Sequence, residues 1–145
     1  MKYIIYITLF ILIQACSQKT EEIKTQVKGD SLKQQMIEAY NSGVVALENG
    51  DVLFAAKKFN EAEIIFPQSD WAPAAALMTA YVYYADDYYS DAVYHLERYL
   101  KVYPNHKDKD YAHFLLAMCY YENIIDEARD LGPLLNAKKE FEYIV

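Results

Sequence analysis

Three histidines and two cysteines are the residues of this 145-residue chain most able to do chemistry, and their spacing decides what kind. His95, His106 and His113 fall on no common helix turn, and no second ligand type stands beside them. Metal binding wants several such side chains converging on one point, so none is expected. Cys119 lies in an apolar stretch and reads as a small buried residue. Paired with His113 it would lack the third, orienting group that an activated nucleophile needs. Asp126 and Glu127, with Asp86, Asp87 and Asp130, read as solvated turn charges, and nothing suggests the burial that raises a catalytic carboxyl. No glycine-rich phosphate loop occurs, and the two cysteines imply no disulfide framework. The chain is expected to be no enzyme and to need no cofactor.

Cys16 is different. Met1-Lys2 supplies a positive charge, and the run from Tyr3 to Ile13 is apolar apart from Thr8. That length suits a signal-peptide core and is short of the ~20 residues of a spanning helix. The run ends at Ile13-Gln14-Ala15-Cys16-Ser17, which resembles a bacterial lipobox. The implied chemistry is a diacylglycerol thioether on Cys16, cleavage before it and acylation of the new amine. More than one acyl chain holds a protein firmly on a bilayer, at about 0.8 kcal/mol per buried methylene. An ordinary secretory signal with a chance cysteine, or a short uncleaved anchor, is the alternative. Ser17 in place of aspartate favours the outer membrane, by the same resemblance.

The elements behind these residues are helices in pairs. Gly43, Ala80 and Ala117 recur every thirty-seven residues, and Pro67 and Pro104 share the step. Fixed-period self-similarity marks a repeat protein, in which each helix pair buries its apolar face only by stacking on a neighbour. Residues 1–15 read as signal peptide, 16–30 as a flexible tether rich in Lys, Glu, Gln and Thr, and 31–145 as the folded domain. Ser31-x-x-Gln34 has the spacing of a capping box. The first helix is expected from Ser31 to Glu48, with Leu32, Met36, Tyr40, Gly43, Val44 and Leu47 inward. Asn49-Gly50-Asp51 reads as a stop, a turn and a cap. Further helices are expected over Val52–Ile65, Trp71–Ala85, Tyr89–Val102, Lys109–Tyr121 and from Pro133, with Ser69 or Asp70 capping the third. The eight-residue insertion before Pro133 breaks the period. The net charge of −7 and the lack of a Lys/Arg stripe argue against nucleic acid as a partner.

Gly43, Ala55, Phe59, Ala62 and Pro67 resemble the tetratricopeptide pattern. Ala80, Ala92, Leu96 and Pro104 do so again, with Tyr99 in place of the last alanine. The fold class is therefore all-α, a tetratricopeptide superhelix of about three helix pairs, the third incomplete. Lipobox, tether and long units together resemble the BamD family of outer-membrane β-barrel assembly lipoproteins. Gly50-Asp51, Ala55 to Phe59, Ala80 to Tyr84, Asp91 to Val93, Leu96 to Tyr99, Tyr103-Pro104, Asp110 to Ala112 and Ala117 to Glu122 carry that resemblance. The family has about five repeats, so this chain looks C-terminally shortened. The resemblance implies a non-catalytic component at the periplasmic face of the outer membrane, lipid-anchored, with unfolded outer-membrane proteins and a BamA-type barrel protein as partners. A general periplasmic tetratricopeptide scaffold is the competing reading.

In such arrays the first helix of each pair lines the concave face. Registering the units places Tyr40, Val44, Leu77, Tyr81, Tyr84, Tyr111, Phe114, Met118 and Tyr121 there. Rings with hydroxyl tips offer contact area at low entropy cost and can satisfy peptide groups, so an extended peptide with aromatic side chains is the expected ligand. Packing between repeats is the plainer role for any one of them.

Overall fold

A computed structural model describes residues 18–124 and 131–145, with side chains from residue 29 onward. The described residues form α1 (Gln18–Glu48), α2 (Val52–Ile65), α3 (Ala72–Ala85), α4 (Tyr89–Val102), α5 (Lys109–Glu122) and α6 (Gly132–Ile144). Each helix packs on the next in chain order, and α3 also reaches α5 across the helix between them. The molecule is thus an all-α helical repeat with α1, α3 and α5 as first helices and α2, α4 and α6 as second helices. Among the described residues no helix is long and apolar enough to cross a membrane. The signal segment, Cys16, Asp126, Glu127 and Asp130 lie outside the described residues.

One boundary departs from expectation. Helix α1 begins at Gln18, so the stretch expected as a flexible tether is helical almost throughout. Its residues are polar, which argues against burial, but Gln, Lys and Glu are also good helix formers. Ser31 is consequently no cap: its Oγ accepts from Gln35 Nε2 at 3.2 Å within the helix.

The turns follow local chemistry closely. Gly50 takes a left-handed φ of 76°, and thirty-seven residues on Asp87 takes 63°. Each closes the first helix of its pair in the conformation a helix C-terminus favours. Asp51 Oδ1 then accepts from Phe54 N at 3.2 Å, and Ser69 Oγ from Ala72 N at 3.1 Å. These bonds satisfy donors that the first turn leaves open.

Small residues set the helix spacing. Ala55, Ala56, Ala62, Ala75, Ala80, Ala92, Ala112 and Ala117 are essentially fully buried. They let backbones approach, and large side chains fill the gaps left between them. Gly43 does this most severely, since a Cβ there would meet the Phe59 ring at 3.0 Å. Phe59, Ala46, Ala55, Ala56 and Val82 form one cluster across α1, α2 and α3. Met36, Ala39, Ala62 and Ala75 form another across the same helices. Leu96, Tyr99, Leu115 and Leu116 anchor the largest cluster, between α3, α4 and α5. Each large side chain fully removed from water contributes about 1.5–3 kcal/mol. Tyr99 fits where an alanine was the pattern because its hydroxyl, buried with the ring, is paired with His106 Nδ1 at 2.8 Å. Burial, and then Asp108, push that hydroxyl up to about 12.

Polar bridges join the pairs. Glu63 on α2 is buried, and its carboxylate accepts from Arg98 on α4 and from the Tyr103 hydroxyl at 2.7 Å. Burial and that bond raise the Tyr103 hydroxyl. On the third pair His113 of α5 meets Glu140 of α6 at 2.6 Å, with Tyr143 against the imidazole at 3.8 Å between ring centres.

Candidate functional site

A concavity of about 380 Å³ opens between α1, α3 and the start of α5. Tyr40, Ala74, Leu77, Met78, Tyr81, Asp108 and Tyr111 line it. Three first helices therefore converge on one hollow, as stacking at a constant period requires. Tyr40 is held on both sides. Its ring meets Phe59 edge-on at 5.1 Å and Trp71 at 5.5 Å. Burial raises its hydroxyl above the ordinary tyrosine value. Leu77 forms the floor and belongs to the α3–α5 core. Tyr111 is 45% exposed and stacks on Phe114 at 6.4 Å. Its hydroxyl is raised by burial and then by the neighbouring Tyr81 and Tyr84. The floor is aliphatic, the walls are aromatic, and Asp108 supplies the one carboxylate among the described lining residues.

The other residues expected on this face go elsewhere. Tyr121 lines a separate hollow of about 580 Å³ with Leu134, Ala137, Lys138, Phe141, Glu142 and Val145, between α5 and α6. Val44 packs against the α1–α2 cluster, and Tyr84 against the α3–α5 cluster beside Tyr89. Phe114 is exposed and meets Phe141 at 6.4 Å. Met118 is half-buried. Of the nine expected residues, Tyr40, Leu77, Tyr81 and Tyr111 line the concavity.

Three lining or bordering residues escaped the sequence reading. Met78 follows Leu77 directly and was hidden by the repeat register. Asp108 lies in the turn before α5, outside any helix period. Trp71 precedes α3 and is 46% exposed. An isolated tryptophan beside a helix start is a signal that was available.

The chemistry-bearing residues are structural in their surroundings. Cys119 is fully buried, and burial pushes its thiol up to about 12. His95 stacks on Tyr83 at 5.2 Å, and its Nδ1 is buried without a hydrogen-bond partner among the described residues. Among those residues no three His, Cys, Asp or Glu side chains come together as a metal site would need.

Residues 32–145 match the model of a family described as YfiO, outer membrane lipoprotein. An outer membrane protein assembly factor BamD of Caulobacter vibrioides is 35% identical over 91 residues, which is 63% of this chain and 30% of that protein. BamD of Rickettsia prowazekii is 30% identical over 106 residues, 73% of this chain and 42% of that protein. BamD of Neisseria gonorrhoeae is 30% identical over 122 residues, 83% and 44% respectively. The chain spans less than half the length of these curated relatives. With the paired helices, the thirty-seven-residue step and a family match over most of its length, this chain belongs to the YfiO (BamD) family of outer membrane lipoproteins.

Proposed function

We propose that this chain is a non-catalytic, lipid-anchored adaptor of outer-membrane β-barrel assembly, and that the α1–α3–α5 concavity holds extended aromatic segments of unfolded barrel proteins. The observation that supports the reading is the convergence of Tyr40, Tyr81 and Tyr111 on one hollow with Trp71 at its edge. Rigid rings bind a peptide at small entropy loss, and their hydroxyls pair with its amides. The relatives' printed role as assembly factors agrees with it. A BamA-type barrel protein is the second partner in this reading, and acylated Cys16 holds the assembly at the periplasmic face of the outer membrane.

A fluorescein-labelled peptide with the alternating apolar pattern of a terminal barrel strand, ending in phenylalanine, tests the groove by anisotropy. Tyr81→Ala and Tyr111→Ala should each weaken binding about tenfold, the usual consequence of truncating a central aromatic contact. Tyr121→Ala, on the separate hollow, should stay within about twofold. Unchanged affinity in both groove variants removes the proposal. The anchor is tested by Cys16→Ser, which should abolish palmitate labelling and membrane fractionation; a variant still held on membranes excludes it.

A further inference from the structure

The outer end of the third helix pair is apolar and open. Leu134 and Phe141 of α6, Val145 just beyond it and Tyr121 of α5 line the hollow of about 580 Å³ there. Leu134 is 40% exposed and Tyr121 56%. Lys138 and Glu142 at its border stand well out in water and pair with each other at 3.6 Å.

The two earlier pairs show what such a hollow receives. Steps of thirty-seven residues take Tyr121 to Tyr84 and then to Leu47. With the eight inserted residues removed, Leu134 corresponds to Tyr89 and Val52, and Phe141 to Leu96 and Phe59. In the first pair, Leu47, Val52 and Phe59 cluster with Met78 and Val82 of α3. In the second, Tyr84, Tyr89 and Leu96 cluster with Leu115 and Cys119 of α5. Met78 and Val82 step onto Leu115 and Cys119, and Ala75, clustered with Met36 and Ala62, steps onto Ala112. The interface between successive pairs is therefore one pattern used twice: an alanine, with apolar residues three and seven positions on. The α5–α6 hollow continues that interface with its receiving half exposed.

The helices of this chain that carry the pattern, α3 and α5, are already packed in this way. On α1 the same three positions are Glu38, Asn41 and Val45, all exposed and two of them polar. A polar outer face is how a repeat array closes an end. The α1 helix of a second copy thus fits the hollow badly, which opposes head-to-tail stacking of copies.

We infer that the α5–α6 hollow is the seat of an amphipathic helix of a partner protein, presenting an alanine and two apolar side chains at positions i, i+3 and i+7. The array takes such a helix at its α6 end and not at its α1 end. The hollow is separate from the α1–α3–α5 concavity, so neither reading depends on the other.

The probe is a synthetic α3 helix, Ala72–Ala85, braced by a hydrocarbon cross-link on its outward side and labelled with fluorescein; anisotropy against the full chain is the readout. It should bind saturably. The same peptide carrying Ala75→Glu and Met78→Asn, the residues of α1, should bind at least about tenfold more weakly. On the chain, Leu134→Glu should also weaken binding about tenfold, and Val145→Glu, beyond the last helix, is a second variant with the same expectation. Val45→Glu at the α1 end should stay within about twofold. Circular dichroism checks that each variant folds. Absence of binding overturns the proposal. Binding that both Leu134→Glu and Val145→Glu leave unchanged overturns it too, since the peptide would then be seated elsewhere, for instance in place of α3. Sedimentation of the chain alone should show one species at every concentration. Self-association that Leu134→Glu abolishes would give the hollow to a second copy and overturn the partner.

Discussion

Replacing Gly43 with alanine probes how closely the first helix pair is packed. An added methyl would meet Cδ1 and Cε1 of Phe59 at 3.0 Å and Cγ at 3.1 Å. Phe59 is fully buried, and Tyr40 stands edge-on to its ring at 5.1 Å, so the ring has little freedom to retreat. Overpacking of this kind destabilises by about 1–3 kcal/mol. Alanine in a helix recovers about 0.8–1 kcal/mol over glycine. The net expectation is a loss of about 1 kcal/mol, roughly fivefold in the folding equilibrium. The second unit shows the remedy. There Ala80 and Leu96, both fully buried, occupy the positions of Gly43 and Phe59. Gly43→Ala combined with Phe59→Leu should therefore be more stable than the two single losses added together, by about 1 kcal/mol or more. Urea denaturation followed by far-UV circular dichroism and by the fluorescence of Trp71, the single tryptophan, measures all four states. If Gly43→Ala gains about 1 kcal/mol and the pair is additive, the ring yields and the close-contact argument is wrong.

Other perturbations test the remaining contacts. Glu63→Ala strands the Arg98 guanidinium and the Tyr103 hydroxyl; because Arg98 is a third exposed, the expected loss is about 2–3 kcal/mol, below the range for a fully buried pair, and a midpoint shift no larger than that of an exposed-site control would refute the bridge. Burial, and then Arg98, hold the His95 imidazole below 6.5 against Asp91 and Glu63. The unfolded chain thus binds more protons as pH falls through 6.5. The stabilising contribution of neutral His95 is present above that value and declines towards the lowered one. Denaturation midpoints at about pH 7.5 and about pH 5.5 should differ less for His95→Phe than for the native chain, and equal differences would remove the assignment. The Cys119 thiol, fully buried and pushed up to about 12, should resist an aromatic disulfide reagent at about pH 8 until the helices are unfolded, as read by mass mapping; rapid labelling of folded protein would contradict its burial.

How far the sequence reaches depends on the range of the force involved. Helices α2 and α4 run over Val52–Ile65 and Tyr89–Val102, the spans expected from Asp51, Pro67 and Pro104. Those stops and starts are backbone chemistry within a few residues. Helix α1 starts at Gln18, ahead of Ser31, because Gln, Lys and Glu sustain a helix without a core, and polarity by itself does not distinguish the two. The repeat register expects the first helices on one face; Tyr40, Leu77, Tyr81 and Tyr111 line one hollow, and Tyr121 lines another. Helix α6 packs on α5, and a second hollow lies between them.

Local pattern alone determined the helix pairs, their thirty-seven-residue step, the left-handed turn at Gly50 and the family to which the chain belongs. Tertiary structure decided which tyrosines share a cavity and that Glu63 joins Arg98 and Tyr103. The reason is separation. Glu63 lies 35 residues from Arg98 and 40 from Tyr103, and such partners meet only after the stacking angle between successive pairs is set by the volumes of buried side chains.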